Sequence, residues 1–230
     1  MTAEARWATV PTINSRQRKR LSQSSPDRRK PLYQAVFATP STRRTARTAA
    51  LLCIKDGKNI DPACGCGNFL IITYRELRRL ELEVLKFKAA NGQMIIDITS
   101  LLKVNVEQFY GIEYEDFTCQ IATVGMWLMD HQMNIRASEQ FGLYYVRLPL
   151  TQSATIVNGN ALRTDWESIV SKRELSYILG NPPFVGARIM NETQKIDITN
   201  VVETDTTVSL RYENIADNLD YVAAWYFKAA

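Results

Sequence analysis

The sequence is poor in the residues that build metal centres and disulfide frameworks. Histidine occurs once, at His131, and the four cysteines do not follow a zinc-ligand spacing. Cys64 and Cys66 stand in one glycine-rich turn, where we expect small buried fillers rather than ligands, and no metal site. There is also no apolar run of about 18 residues and no N-terminal apolar signal core. We therefore expect a soluble cytoplasmic protein that does not associate with membranes.

Charge is distributed unevenly along the chain. Residues 1–50 hold 11 Lys and Arg against 2 Asp and Glu, a net +9, whereas residues 51–230 carry 17 against 22, a net −5. This asymmetry predicts a basic, disordered lead-in over residues 1–40 and a folded domain over residues 41–230. The basic arm is either a solvated tail or a segment that contacts phosphates, and the sequence leaves both open.

Segments with strand character alternate with segments of helical periodicity. Strands are predicted at Lys58–Asp61, Gln108–Glu113, Thr155–Asn158 and Ser176–Leu179, and helices at Thr45–Leu52, Phe69–Lys88, Phe117–Asp130, Trp166–Ser171 and Leu219–Ala230. In the third of these helices, Ile121, Val124, Trp127 and Leu128 share one face. Strands that alternate with helices predict an α/β domain with a doubly wound, mostly parallel sheet.

A glycine-rich loop joins the first strand to the first long helix. It runs Asp61-Pro62-Ala63-Cys64-Gly65-Cys66-Gly67 and lacks both the third glycine of a dinucleotide site and the Gly-Lys-Ser/Thr of a nucleotide-triphosphate loop. Glycines allow close approach of a ligand, and the following helix directs free N–H groups at it. The Asp61 carboxylate can accept hydrogen bonds from the ammonium group of a ligand that also carries a carboxylate, such as S-adenosylmethionine. A purely structural strand–helix turn is the alternative.

An acidic residue closes the second predicted strand. Glu113 ends Phe109-Tyr110-Gly111-Ile112-Glu113, and in a doubly wound sheet ligands bind at the carboxyl ends of the strands. A carboxylate there can accept hydrogen bonds from both ribose hydroxyls. The alternative is a solvated glutamate. The 52-residue separation from Asp61 exceeds the usual spacing, which predicts an insertion around Ala89–Val106.

The fourth predicted strand leads directly into Gly180-Asn181-Pro182-Pro183-Phe184. Two prolines fix the turn and hold Asn181 extended, so its side-chain oxygen and the Pro182 carbonyl are presented as acceptors. An amine that attacks a sulfonium methyl needs two such acceptors for its N–H groups. Phe184 offers a face on which a planar base can stack. A plain proline turn with Phe184 in the core is the alternative.

These motifs, in this order, resemble the MmeI-like (type IIL) restriction-modification methyltransferases, which have the class I fold. The similar blocks are Asp61–Leu70, Ile72–Glu81, Val104–Glu113, Ile121–Asn134, Asn160–Trp166, Asn181–Arg188 and Leu219–Ala230. The resemblance implies a DNA methyltransferase that transfers a methyl group from S-adenosylmethionine to N6 of adenine in double-stranded DNA. It also implies the class I strand order 3-2-1-4-5-7-6.

The resemblance assigns roles to residues that match the family's motifs. Asn181, Pro182, Pro183 and Phe184 would form the catalytic turn that holds the target base. The cofactor-binding positions would be Thr39, Asp61, Ala63, Gly65, Gly67, Glu113, Asn160 and Ala161. Of these, Glu113 would hold the ribose and Asn160 would meet the adenine. By its own chemistry, Asn160 is also compatible with a simple turn.

The sequence departs from the family in two respects. The pocket-closing segment is degenerate, because Ala35-Val36-Phe37-Ala38-Thr39-Pro40 lacks the family's glycine and second aromatic residue. Full-length members also carry an amino-terminal endonuclease region and a carboxyl-terminal target-recognition domain. We therefore expect a partial methyltransferase domain, incomplete at its C-terminal end, whose target-recognition region is separate or missing.

Two other functions remain open from the sequence. Methyltransferases acting on protein glutamine or RNA guanine use a similar turn, although those relatives tend to carry tyrosine at the position of Phe184. A non-catalytic remnant that binds nucleic acid through its basic arm is the third possibility. Salt-sensitive DNA binding that survives loss of Asp61 and Asn181 would distinguish that remnant.

Overall fold

The computed structural model describes residues 57–91, 98–142, 153–204 and 219–230. The predicted basic lead-in, Thr39 with its segment 35–40, and the helix predicted at Thr45–Leu52 lie outside these residues. The division of the chain at residue 40 therefore stays a prediction.

Four parallel strands form the central sheet. They are β1 (Lys58–Asp61), β2 (Phe109–Glu113), β3 (Thr155–Asn158) and β4 (Leu175–Ile178), in the order β3-β2-β1-β4. The register pairs Asp61 with Gly111 and Glu113 with Asn158, so the carboxyl ends of the first three strands lie side by side. All four predicted strands are confirmed within one residue, and so is the 3-2-1-4 part of the expected order.

Helices cover both faces of the sheet, which confirms the doubly wound α/β architecture. The helices are α1 (Asn68–Ala90), α2 (Ile98–Leu101), α3 (Asp116–Phe141), α4 (Glu192–Thr204) and α5 (Ala223–Ala229). Short 3-10 turns occur at Val106–Gln108, Trp166–Ser168 and Ala187–Ile189. One core joins α1 and α3 to the sheet through Leu70, Tyr74, Phe109 and Met126. The other joins α4 and α5 to it through Ile60, Ile178, Ile198 and Trp225.

Helix α4 is the element that the sequence pattern did not reveal. Its apolar residues are sparse, so its periodicity is weak. A local signal nevertheless marks its start, because the Asn191 side chain accepts from Gln194 N at 2.9 Å and the Gln194 side chain accepts from Asn191 N at 3.0 Å. This reciprocal pair is a capping box, in which two N–H groups at a helix start are satisfied by side chains.

The apolar face predicted on α3 is not the face that the helix buries. Ile121, Val124 and Leu128 are exposed, and Trp127 is only half-buried. The residues that face inward are smaller or more polar: Cys119, Ala122, Met126, Asp130, Met133, Asn134 and Ala137. The reason is close packing, since a Cβ added at Gly67 would lie 3.1 Å from the Ala122 Cβ. Helix α3 therefore meets the start of α1 too closely to place large side chains there.

A buried polar network holds α1, α3 and the segment before β2 together. Arg78 is 2% exposed and donates to Asn134 Oδ1 at 2.7 Å, to the Val104 carbonyl at 3.1 Å and to Glu81 Oε2 at 3.3 Å. Glu81 in turn accepts from Val104 N at 3.2 Å. The Arg78 charge is thus paired and hydrogen-bonded, as a buried charge must be.

Removing this arginine should destabilise the domain strongly. Arg78→Ala leaves the buried Glu81 carboxylate without its cation, and we expect the free energy of unfolding to fall by about 3–5 kcal/mol. Urea denaturation followed by circular dichroism measures this loss. Arg79→Ala on the same helix is the matched control, because Arg79 pairs with Glu76 at the surface and should contribute under about 1 kcal/mol. Equal losses in both variants would contradict the role of the network.

Candidate functional site

The glycine loop lies between the end of β1 and the start of α1. Gly65 and Gly67 have φ of 54° and 81°, the left-handed region that side chains disfavour. Gly67 holds the cap position without a side chain, and the helical ladder begins where Ile71 N donates to the Gly67 carbonyl at 2.8 Å. The preceding N–H groups of the first turn stay outside the ladder, as an anion site at a helix start requires.

The two cysteines of this loop differ in their surroundings. Cys64 is buried, and a Cβ added at Gly111 of β2 would lie 2.8 Å from its sulfur. Cys64 is therefore the buried filler that was predicted, and Gly111 provides the space for it. Cys66 is exposed, so its predicted burial is wrong. The tight turn between two glycines directs that side chain outward.

The Asp61 carboxylate is fully buried, and only one of its two oxygens accepts a hydrogen bond from the described residues. Its Oδ1 accepts from Ala63 N at 3.0 Å, whereas Oδ2 is buried and has no hydrogen-bond partner among the described residues. Burial raises the pKa of Asp61 to about 7, and the neighbouring Glu113 carboxylate acts in the same direction. A buried, unsatisfied oxygen is costly, so its presence at a strand end favours a binding role.

The Asp61 carboxylate lies directly against the proline turn. Gly180 has φ of 143°, and a Cβ added there would overlap Asp61 Oδ1 and lie 2.9 Å from Asp61 Cγ. Leu179 N donates to the Ile60 carbonyl at 2.9 Å, which aligns the end of β4 with the end of β1. Glycine is therefore required at residue 180 both for its backbone conformation and for this contact.

The proline turn itself is mostly open. Asn181, Pro183 and Phe184 are exposed, whereas Pro182 is buried beneath them. Phe184 is 72% exposed, which contradicts the alternative of a core phenylalanine. A rigid turn anchored at Pro182 thus exposes both the amide of Asn181 and the aromatic ring of Phe184.

Glu113 binds the glycine loop to the second strand. Its Oε2 accepts from Gly65 N at 2.9 Å, and its Oε1 accepts from Glu115 N at 3.1 Å. Cys64 N also donates to the Ile112 carbonyl at 3.1 Å. Two backbone donors fix the orientation of the Glu113 carboxylate, and each oxygen keeps a lone pair for further hydrogen bonds.

Asn160 follows β3 and contacts two different elements. Its Oδ1 accepts from Leu162 N at 2.9 Å, and its Nδ2 donates to Asp197 Oδ2 of α4 at 2.9 Å. The adjoining Ala161 is buried, and its carbonyl accepts from Trp166 Nε1 at 2.8 Å. The residue is therefore more than a turn-former, because it also connects β3 to α4.

A cavity of about 340 Å³ lies where these elements meet, within the usual range for small-molecule sites of about 300–1,000 Å³. The residues that line it come from the ends of β1, β2 and β3, from the proline turn, and from α4 and the segment before and within α5. Among the predicted site residues, Ala63, Glu113, Asn160, Ala161 and Pro183 line it. Asp61, Gly65, Gly67, Asn181, Pro182 and Phe184 do not.

The sequence assigned no site role to several of the lining residues. Asp197, Tyr221 and Trp225 join the cavity from late segments, and Trp225 Nε1 donates to the Pro62 carbonyl of the glycine loop at 3.2 Å. Asp197 stands in a polar helix and looks like a solvated acid. Only the fold brings these side chains to the strand ends.

The described residues contain no helix with both the length and the apolar character needed to cross a membrane. They also contain no cluster of three or more His, Cys, Asp or Glu residues that could hold a metal ion.

Comparisons with known proteins agree with this geometry. A family model described as the MmeI DNA-methyltransferase domain matches residues 44–230. The chain belongs to the MmeI DNA-methyltransferase domain family. It is 35% identical over 176 residues to DNA methyltransferase A of Bacillus subtilis (strain 168), which covers 75% of the chain. The type IIL restriction-modification enzyme MmeI, solved in complex with DNA, is 44% identical with a TM-score of 0.70 over 82% of the chain.

The chain spans a minor part of these relatives, 19% of the Bacillus subtilis protein and 25% of the MmeI chain. The MmeI family match covers every described element, so the sheet, the glycine loop and the proline turn all fall within it.

Alanine at residue 180 tests the contact between the two motifs. Gly180→Ala places a methyl group on the Asp61 carboxylate and strains the backbone, so we expect a loss of about 2–4 kcal/mol in the free energy of unfolding. Guanidinium denaturation measures it. Gly186→Ala is the matched control, since its Cβ would meet only Asp220 Oδ1, at an ordinary 3.7 Å, and should change stability by less than about 1 kcal/mol. An unaffected Gly180 variant would show that the contact carries no constraint.

Proposed function

We propose that this chain is the catalytic part of a DNA methyltransferase that modifies N6 of adenine in double-stranded DNA, with S-adenosylmethionine as the donor. One observation carries the proposal. The unpartnered Asp61 oxygen, which suits a cationic ligand group, belongs to a carboxylate that lies against Gly180 of the turn that presents Asn181. Asp61, which would bind the ammonium of the cofactor, thus adjoins the turn that would bind the amine of the target base.

The residues at the strand ends fit the proposed cofactor. Asp61 Oδ2 can accept from the ammonium, and the uncapped start of α1 suits the carboxylate. Glu113 lines the cavity with a fixed carboxylate, which suits the two ribose hydroxyls. Asn160 and Ala161 line the same cavity from β3 and suit the adenine ring. The donor set therefore matches each part of S-adenosylmethionine by its chemistry.

The proline turn supplies the acceptor side of the reaction. When bound, the cofactor supplies an electrophilic methyl group on a sulfonium. Asn181, as a side-chain amide, and Pro182, through its carbonyl, would accept from the two N–H groups of the target amine and orient its lone pair. The exposed ring of Phe184 would stack on the base. No strong base is required, so positioning carries much of the rate.

Double-stranded DNA is the proposed partner. The MmeI relative was solved in complex with DNA. An adenine inside a duplex has to be turned out of the stack before its amino group can reach such a turn. The open position of Phe184 is compatible with that entry, whereas a buried ring would have prevented it.

Methyl transfer from labelled S-adenosylmethionine to mixed genomic DNA tests the proposal. We expect N6-methyladenine, identified by mass spectrometry of the digested DNA. Asn181→Ala should lower the label by at least about 100-fold, because the target amine loses an acceptor that matters in the transition state. Asn91→Ala is the matched control, since Asn91 is an exposed residue that caps the distant end of α1.

Equal label with the Asn181 and Asn91 variants would refute the assigned role of the turn. RNA and protein substrates belong in the same assay, since label that appears in guanine or glutamine instead of DNA adenine would replace the proposed substrate.

The raised pKa of Asp61 predicts a pH dependence of cofactor affinity. An ammonium binds the ionised carboxylate, and below pH about 7 the free protein holds a proton that binding has to displace. We therefore expect the affinity for S-adenosylhomocysteine, which carries the same ammonium, to fall by up to about tenfold per unit as pH decreases below 7, and to level off above it. Titration calorimetry between pH 5.5 and 8 measures this.

Two variants control the pH experiment. Asp61→Asn cannot ionise and should bind weakly with no such slope. Asp165→Asn removes a carboxylate that caps the turn at Trp166–Ser168 and should keep the slope of the unmodified protein. A slope that persists in Asp61→Asn would assign the titration to another group.

A further inference from the structure

Asp197 is a buried acid at the wall of the cavity, and the proposed reaction leaves it without a role. It lies on α4 and is 2% exposed. Three side-chain donors converge on it: Arg163 Nε at 2.7 Å on Oδ1, and Asn160 Nδ2 at 2.9 Å and Tyr221 OH at 3.0 Å on Oδ2. These donors come from the loop after β3 and from the segment before α5, so the carboxylate joins three parts of the chain at one point.

The contact with Asn160 has a chemical consequence beyond packing. The two ends of an asparagine amide have nearly the same shape, and only hydrogen-bond partners decide which end is oxygen and which is nitrogen. An ionised carboxylate accepts and never donates, so Asp197 Oδ2 requires the Nδ2 end of Asn160. Leu162 N is a donor and requires the Oδ1 end. The two contacts together permit one orientation.

The fixed orientation leaves one N–H and one lone pair of the Asn160 amide for a ligand. Asn160 lines the cavity, so these groups are available where the proposed cofactor places its base. Adenine presents an amino donor beside a ring-nitrogen acceptor, which an asparagine amide can bind with both of its ends. Hypoxanthine reverses that pattern, with a carbonyl acceptor beside an N–H donor. A reversed amide would match hypoxanthine instead.

We propose that Asp197 is a positioning residue, which holds the Asn160 amide in the orientation that selects adenine over hypoxanthine in the cofactor. The inference rests on the proposed function, because it concerns the base at that same site. Asp197 acts through Asn160 and need not touch the ligand. Arg163 and Tyr221 satisfy the remaining acceptor capacity of the carboxylate and keep it in place.

Two ligands that differ only in the base provide the test. Titration calorimetry with S-adenosylhomocysteine and with its hypoxanthine counterpart, S-inosylhomocysteine, gives a ratio of dissociation constants for each variant of the 230-residue chain. We expect the unmodified protein to favour the adenine ligand by at least about tenfold, since the wrong base leaves polar groups unpaired. The ratio reports the orientation of the Asn160 amide, whereas a general loss of structure would weaken the binding of both ligands together.

Asp197→Asn preserves shape but can both donate and accept, so it permits either orientation of Asn160. We expect the ratio to fall severalfold in this variant and by about tenfold in Asp197→Ala, which removes the partner altogether. Lys195→Ala is the matched control, because Lys195 is an exposed residue of the same helix that pairs with Glu192 at the surface and does not line the cavity. Its ratio should equal that of the unmodified protein.

The outcomes separate this inference from the proposed function. If the unmodified chain binds neither ligand, the proposed cofactor site fails. If it binds both but the ratio is the same in all variants, or if it prefers neither base, the orienting role of Asp197 is overturned and the cofactor site stands. Loss of both ligands together in the isosteric Asp197→Asn, or an equal fall of the ratio in Lys195→Ala, would also overturn it, because either result would show that Asp197 only supports the structure of the cavity wall.

Discussion

The contact between Asp61 and Gly180 is the constraint on which the rest of the site depends. It joins the end of β1 to the end of β4, strands whose sequences are more than 110 residues apart. A carboxylate that is buried there without a full set of partners is unfavourable on its own, and its raised pKa expresses this cost. The contact also fixes the distance between the glycine loop and the proline turn. A side chain at residue 180 would separate them.

The second constraint is that segments near the end of the sequence form part of the cavity wall. Strand ends alone give an open edge, and here α4 and the segment 219–230 enclose it. Trp225 reaches the glycine loop through Pro62, and Tyr221 reaches Asp197 while its N–H donates to the Val185 carbonyl at 2.8 Å. The part of the chain that follows the proline turn therefore returns to cover the site. The family match over residues 44–230 includes these late segments as well as the motifs.

Sequence patterns predicted the strands well because each is short and most are flanked by turn-forming residues. They did not reveal which face of α3 is buried, since Ala122 and the polar pair Asp130 and Asn134 face inward and larger apolar residues face outward. Hydrophobic periodicity measures the average preference of side chains for burial. It does not register that two helices approach closely, or that a buried arginine on a neighbouring helix requires polar partners.

The sequence by itself determined the order of the strands along the chain, the glycine loop, the strand-end acid Glu113 and the chemistry of Asn181–Phe184. These are local properties, since backbone conformation and the type of side chain suffice to recognise them. Tertiary structure decided that Asp61 lies against Gly180, that Asn160 is held by Asp197, and that Tyr221 and Trp225 enclose the cavity. Those relations join residues 24 to 163 positions apart. Only the packing of helices on both faces of one sheet brings them within hydrogen-bond distance.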